Sequence, residues 1–191
     1  LMAAEFAAAA RAGDWALIDE ANMAEPDAIS FVNGMTDRPG IEGSTFQVGG
    51  QTVEVHPDFR CFLTRNPGYV GTRPMNEALR DRFWSIDVPP LSGDSLAAML
   101  RAHDVRKDYV PEAVWLIDTL YQAWEKNRIS YQVSPRRALD AAAMCDQLEG
   151  SDFRYWLERS ILTKIDAKHD GEAVKRAIEA AWTAFRASSS D

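Results

Sequence analysis

The sequence predicts an α/β part with a parallel sheet, followed by an all-helical part, with the change near Pro89 to Ser92. Three observations carry this. Trp15-Ala16-Leu17-Ile18 is a short apolar run that stops at adjacent carboxylates, Asp19 and Glu20, as a buried, parallel-type strand does. Further strand patterns follow at Phe46 to Val55, Arg60 to Thr64 and Trp84 to Val88. After Pro90 the strand signals disappear and apolar residues take helical spacing.

Taken in order, Ala3 to Ala12 reads as a helix closed near Gly13. The strand to Glu20 follows. Pro26 suits a first helical turn, so a helix through Met35 is expected. Phe46-Gln47-Val48 and Gln51 to Val55 flank Gly49-Gly50 and read as a β-hairpin. Arg60 to Thr64 is a second apolar strand, stopped by Asn66-Pro67-Gly68. Asn76 can cap a short helix to Phe83, and Trp84 to Val88 reads as a third strand closed by Pro89-Pro90. Helices are expected at Ser92 to His103, Pro111 to Asn127, Pro135 to Leu148, Phe153 to Ala167 and Glu172 to Ala187. The chain enters its first helical stretch at once, without a cap, and is expected to be a piece of something longer.

Composition narrows the function. In 191 residues, 46% are hydrophobic and 26% charged, as in ordinary globular proteins. A formal net charge of −8 argues against broad nucleic-acid binding, which needs a basic face. Cys61 and Cys145 lie far apart without metal or redox spacing, so reduced thiols of a cytoplasmic protein are expected. No apolar run approaches the about 18 residues that suggest a membrane span, and no signal-peptide pattern is present. His56, His103 and His169 are scattered without ligand spacing. Trp115, Trp124, Trp156 and Trp182 occupy helical positions and read as packing residues.

Four motifs can carry chemistry. Acids at the end of a parallel strand sit at the carboxyl edge of a sheet, where open α/β folds bind ligands. Asp19 and Glu20 there suit a nucleotide hydrolase: one acid for a Mg²⁺ shell, one to orient or deprotonate water. Thr64-Arg65-Asn66-Pro67-Gly68 puts an amide, both donor and acceptor, at the tip of a neighbouring strand; taken alone, a plain Asn-Pro-Gly turn accounts for it better. Asn76 to Phe83 offers Arg82, with Arg80 as a second candidate, for stabilising phosphoryl charge in a neighbouring subunit. A surface pair with Asp81 or Glu77 is the plainer account. Ser134-Pro135-Arg136-Arg137 opens a helix and puts the Arg136 cation at its amino end, which favours anions. A bound phosphate or a surface carboxylate would explain that placement.

In this order, Asp19-Glu20, Asn66, Asp81-Arg82-Phe83 and Ser134-Pro135-Arg136 resemble the AAA+ ATPases, specifically the MoxR-like and dynein-related branch. His56 to Arg60, Thr64 to Gly68 and Asn76 to Phe83 are similar to that branch's wording, and the resemblance covers roughly residues 3 to 150. It implies an incomplete AAA+ α/β core over residues 1–90 and a helical lid with C-terminal helices over residues 91–191. The implied cofactors are ATP and Mg²⁺. Asp19 and Glu20 would be the Walker B pair, Asp19 toward Mg²⁺ and Glu20 activating water. Asn66 would be sensor 1, Arg82 the arginine finger acting on a neighbour's ATP, and Arg136 sensor 2. The hairpin at Gly49-Gly50 would match an insertion that faces a central pore in relatives, but its tip lacks an aromatic for gripping a substrate.

One departure matters. No G-x-x-x-x-G-K-[ST] loop, the backbone cradle for phosphates, occurs in the sequence. The resemblance places it before Leu1. The expectation is the carboxyl-terminal portion of a MoxR-like ATPase, with negligible ATP affinity on its own and a sheet left with an open edge or face. The leading function is ATP hydrolysis in a homo-oligomeric ring, a hexamer by resemblance, remodelling a protein client such as a von Willebrand factor A-type protein. A non-catalytic, degenerate subunit is the alternative. A nucleic-acid motor or clamp loader is disfavoured by charge and by the lack of a basic-aromatic track.

Overall fold

The computed structural model describes residues 2–25, 29–37, 41, 43–48, 50–66, 74–75, 77–165 and 170–188. They form two compact units, Leu1–Asp87 and Val88–Asp191.

In the first unit, α1 (Met2–Ala12) buries Phe6, Ala7 and Ala10, the spacing of one helical face. It ends at Gly13, whose φ of +79° needs glycine. A Cβ there would also lie 2.6 Å from His56 Nδ1. The chain reverses into β1 (Trp15–Ile18), which pairs in parallel with β4 (Arg60–Leu63), Trp15 beside Arg60 and Ile18 beside Leu63. A short 3₁₀ turn (Ala21–Met23) and α2 (Phe31–Thr36) follow β1. Strands β2 (Thr45–Val48) and β3 (Gln51–Glu54) form the expected antiparallel hairpin. Gly50 takes a φ of +76° at its turn, and Gly49 lies outside the described residues. The one-turn α3 (Glu77–Arg80) buries Leu79. Phe6, Ile18, Val32, Phe46, Val53 and Phe59 make the shared core.

Several expectations are corrected. The helix expected from Pro26 through Met35 is described over Phe31–Thr36; its expected start at residues 26–28 lies outside the described residues, as do Pro67, Gly68, Asn76 and His169. The run in β1 is not buried on both faces: Ile18 is buried, but Trp15 is 75% and Leu17 58% exposed. Neighbouring side chains on a strand alternate between faces. The hydrophobic core takes up Ile18 and the half-buried Ala16, Cys61 and Leu63. Trp15 and Phe62 meet each other on the open face, ring centroids 5.3 Å apart. Trp84 to Val88 forms no strand; Trp84 is 99% exposed, and Ile86 and Val88 are nearly as bare. Alternating apolar residues form a strand only beside a hydrogen-bonding partner, and this segment has none among the described residues.

The second unit comprises α4 (Gly93–Ala102), α5 (Tyr109–Glu125), α6 (Arg136–Gln147), α7 (Phe153–Leu162) and α8 (Gly171–Ser188). Ser92 caps α4 in a capping box with Ser95. Helix α5 packs against α4 and α8, and α6 lies along α7. Leu100, Leu116, Leu120, Leu157, Ile161 and Val174 are fully buried between them. Trp182 is buried, and Trp115, Trp124 and Trp156 pack half-buried against the same core. Trp115 Nε1 donates to the Ala181 carbonyl at 2.9 Å. Arg154 pairs with Glu112 at 2.6 Å and lies over the Trp182 ring. The Asp170 carboxylate accepts from the Ser130 and Tyr131 backbone N–H groups at 2.7 and 2.9 Å. The chain thus combines a small parallel sheet with a large helical part, as a partial AAA+ α/β core followed by a helical subdomain does.

Candidate functional site

Parallel pairing of β1 with β4 sets both carboxyl ends at one edge. The Thr64 N–H donates to the Ile18 carbonyl at 3.0 Å, and the Ala21 N–H to the Thr64 carbonyl at 2.9 Å. Asp19 and Glu20 therefore leave β1 opposite Thr64, Arg65 and Asn66. Between these bonds Glu20 takes a left-handed conformation, φ 51° and ψ 44°, which costs about 1–2 kcal/mol outside glycine. The Thr64 hydroxyl holds it there, accepting from the Glu20 N–H at 2.8 Å. The same hydroxyl donates to Asp19 Oδ1 at 2.5 Å.

Asn66 closes the cluster. Its side-chain Nδ2 donates to Glu20 Oε1 at 3.3 Å. Its backbone is gripped from the other side by Asn22. The Asn22 Nδ2 donates to the Asn66 carbonyl at 3.1 Å, and the Asn66 N–H donates to Asn22 Oδ1 at 3.3 Å. Asp19, Glu20, Thr64 and Asn66 are exposed, whereas Asn22 is 6% exposed. The structure thus unites Asp19, Glu20 and Asn66, all singled out in the sequence. Thr64 and Asn22 were missed. Their only signals were position, Thr64 two residues before Asn66 and Asn22 two residues after Glu20; both residue types also suit ordinary turns.

Arg80 and Arg82 make no hydrogen bond to this cluster among the described residues. Arg82 follows α3 and pairs with neither Asp81 nor Glu77. Its Nε and Nη2 reach Asp37 Oδ1 at 2.6 and 2.5 Å, and its Nη1 donates to the Ala78 carbonyl at 2.6 Å. Arg80 is exposed and makes no ion pair among the described residues. Arg136 belongs to the second unit, at the start of α6. Its N–H donates to the Ser134 hydroxyl at 3.3 Å, and the Arg137 N–H to the Ser134 carbonyl at 3.0 Å. The Arg136 guanidinium is exposed and without an ion pair among the described residues, as an anion-binding cation at a helix start would be.

The cluster's chemistry is that of a carboxylate pair joined to an amide. No group of three or more His, Cys, Asp or Glu that could hold a metal occurs among the described residues. Hydrated Mg²⁺ does fit, because it takes one or two carboxylates and draws its other oxygens from water and substrate phosphates. Asp19 could supply such a carboxylate, with Glu20 beside it. No described helix is long and apolar enough to cross a membrane.

Residues 2–83 match the family model of the AAA domain, dynein-related subfamily. The uncharacterized protein YojN of Bacillus subtilis is 31% identical over 173 residues, 90% of this chain and 56% of that protein. The uncharacterized protein SH1500 of Staphylococcus haemolyticus is 30% identical over 173 residues, 90% of this chain and 64% of that protein. An uncharacterized Staphylococcus aureus protein is 30% identical over 165 residues, 85% of this chain and 61% of that protein. The chain thus spans less than two thirds of the length of these relatives.

Proposed function

From a chain whose residues 2–83 belong to the dynein-related subfamily of AAA domains, we propose that the protein binds and hydrolyses ATP and drives the remodelling or activation of a protein client. The observation that carries this is the meeting of Asp19, Glu20 and Asn66 at one edge of paired parallel strands. In this reading Asp19 holds Mg²⁺, with Glu20 beside it. The ion, when bound, neutralises charge on the phosphates. Glu20 accepts the proton of the attacking water, and the Asn66 amide orients that water against the γ-phosphate. Arg82 serves a neighbouring subunit's ATP, which requires release from Asp37. Arg136 contacts the γ-phosphate from the helical unit.

These residues make the hydrolytic side of a site. The phosphate-cradling G-x-x-x-x-G-K-[ST] loop does not occur in the 191 residues, so they are expected to bind ATP negligibly on their own; micromolar binding would overturn this. The proposed assembly is a cytoplasmic, MoxR-like homo-oligomeric ring, a hexamer, with a client of the von Willebrand factor A type. The proposed domains are residues 1–90 for the core and residues 91–191 for the lid. In the intact protein, Glu20→Gln should keep ATP binding and lower turnover about 10²- to 10⁴-fold, the range for a lost general base. Unchanged turnover refutes the assignment. A second reading, a non-catalytic subunit that keeps the fold and interfaces, draws on the engagement of Arg82 by Asp37. It predicts no ATPase activity from the intact protein at all.

A further inference from the structure

We infer that Asn22 is a positioning residue of this site: it fixes the backbone of Asn66 and thereby the place of the Asn66 amide against Glu20. This rests on the hydrolysis reading above.

Among the described residues, backbone pairing between the two segments ends at Thr64, where the Ala21 N–H meets the Thr64 carbonyl. Asn66 lies beyond that point and is exposed. Such a strand tip frays unless something takes up its free groups. Asn22 does so with both ends of one amide, accepting from the Asn66 N–H at 3.3 Å and donating to the Asn66 carbonyl at 3.1 Å. A rigid amide that meets both backbone groups of one residue copies the pairing of an absent strand neighbour. It restrains rotation at Asn66, whereas a single bond would leave a pivot.

Burial makes the restraint firm. Asn22 is the buried polar residue among those described, where water competes poorly for its bonds. Its own place is set by the 3₁₀ turn Ala21–Met23, in which the Met23 N–H donates to the Glu20 carbonyl at 2.8 Å. The turn that begins at Glu20 therefore carries the clamp for Asn66, and Asn66 Nδ2 returns to Glu20 at 3.3 Å. The loop of contacts runs from Glu20 through Asn22 and Asn66 back to Glu20. A buried Asn with a purely structural task could bond any neighbouring peptide. Both of these bonds go to the residue whose side chain reaches the proposed base.

The test uses the intact protein with Asn22→Ala, Asn66→Ala and the double variant. Steady-state ATPase kinetics give kcat and KM, and amide hydrogen exchange gives protection at Asn66. Asn22→Ala should lower kcat about 10-fold or more with KM within about threefold, since positioning acts on the reacting geometry. In the Asn66→Ala background it should cost no further kcat, because residues that act through one another are non-additive. Exchange at the Asn66 N–H should speed up about 10-fold on loss of its acceptor. If Asn22→Ala does not fold, the same measurements are made on Asn22→Leu, which nearly keeps the shape but loses both the acceptor and the donor. Unchanged Asn66 exchange, or a kcat loss that multiplies with that of Asn66→Ala, overturns the inference. If Glu20→Gln keeps full turnover, the hydrolysis reading fails, and the exchange measurement alone still decides whether Asn22 holds Asn66.

Discussion

Replacing Thr64 with Val tests the hinge of the carboxylate pair. The hydroxyl donates to Asp19 Oδ1 at 2.5 Å and accepts from the Glu20 N–H at 2.8 Å. A hydrogen bond to a charged group contributes about 1.5–3 kcal/mol and one between neutral groups about 0.5–1.5 kcal/mol. Both are exposed here, and water replaces part of each, which leaves about 1–2 kcal/mol for the pair. Glu20 sits in a left-handed conformation whose cost, about 1–2 kcal/mol, is of the same size. Losing the hydroxyl therefore frees Glu20 to rotate out and carry its carboxylate away from Asn66. At about 1.4 kcal/mol per factor of ten, turnover in the intact protein should fall roughly 5- to 30-fold. Thr64→Ser, which restores the hydroxyl, should recover most of it. ATPase rates at saturating ATP make the comparison. Turnover of Thr64→Val within twofold of the parent, or Thr64→Ser as impaired as Thr64→Val, refutes the reasoning.

Arg82→Ala in the intact protein should also abolish turnover. Mixing it with Glu20→Gln should restore part of the activity if each site draws an arginine from its neighbour; no recovery at any ratio counts against a shared site. Leu120 is fully buried, so Leu120→Ala should lower unfolding free energy by about 2–5 kcal/mol in urea titrations followed by circular dichroism, and a loss under about 1 kcal/mol would contradict the packing described. Burial pushes the Cys61 thiol up to about 11. The thiolate is the reactive form, so native-state alkylation of Cys61, read by mass spectrometry, should be slow at neutral pH and rise about tenfold per pH unit up to that value. Folding holds the proton more tightly than the unfolded chain, so this thiol's contribution to stability is complete below the ordinary cysteine range and declines as pH rises toward 11.

What the sequence made legible is what is local. Gly13 stops α1, the Gly49-Gly50 pair marks the hairpin, and the apolar spacing after Pro90 gives each helix of the second unit. The apolar runs at Trp15 and Arg60 identified strands that do pair. Of the long-range partners, the neighbouring of the Asp19 and Asn66 strands was legible, and others were not. Trp84 to Val88 carries a strand's alternation, yet pairing depends on a neighbour that a local pattern cannot contain. Arg82 suggested Asp81 or Glu77 by proximity, but its carboxylate is Asp37, 45 residues away. Asn22 was missed because both its partner atoms belong to Asn66, 44 residues on.

The left-handed turn at Glu20 answers a geometric difficulty in the carboxylate pair. Consecutive residues of a strand point to opposite faces, so Asp19 and Glu20 on a continued β1 could not both serve one site. The turn at Glu20 breaks the alternation. Asp19 then meets Thr64, and Glu20 meets Asn66, along a single segment. The two contacts also differ in kind. Asp19 is tied by a short bond from a hydroxyl that is itself fixed to the Glu20 backbone, which suits an oxygen that must stay in place. Glu20 is met at 3.3 Å by an exposed amide, whose Oδ1 remains able to accept from a second donor. On the proposed reading, a water bonded to both Glu20 and that Oδ1 would have its two hydrogens assigned and its lone pair directed at the phosphate. On that reading the division of labour proposed for the acids follows from their partners, and exchanging them, with Asp19→Glu and Glu20→Asp together, should leave turnover as low as Glu20→Gln does.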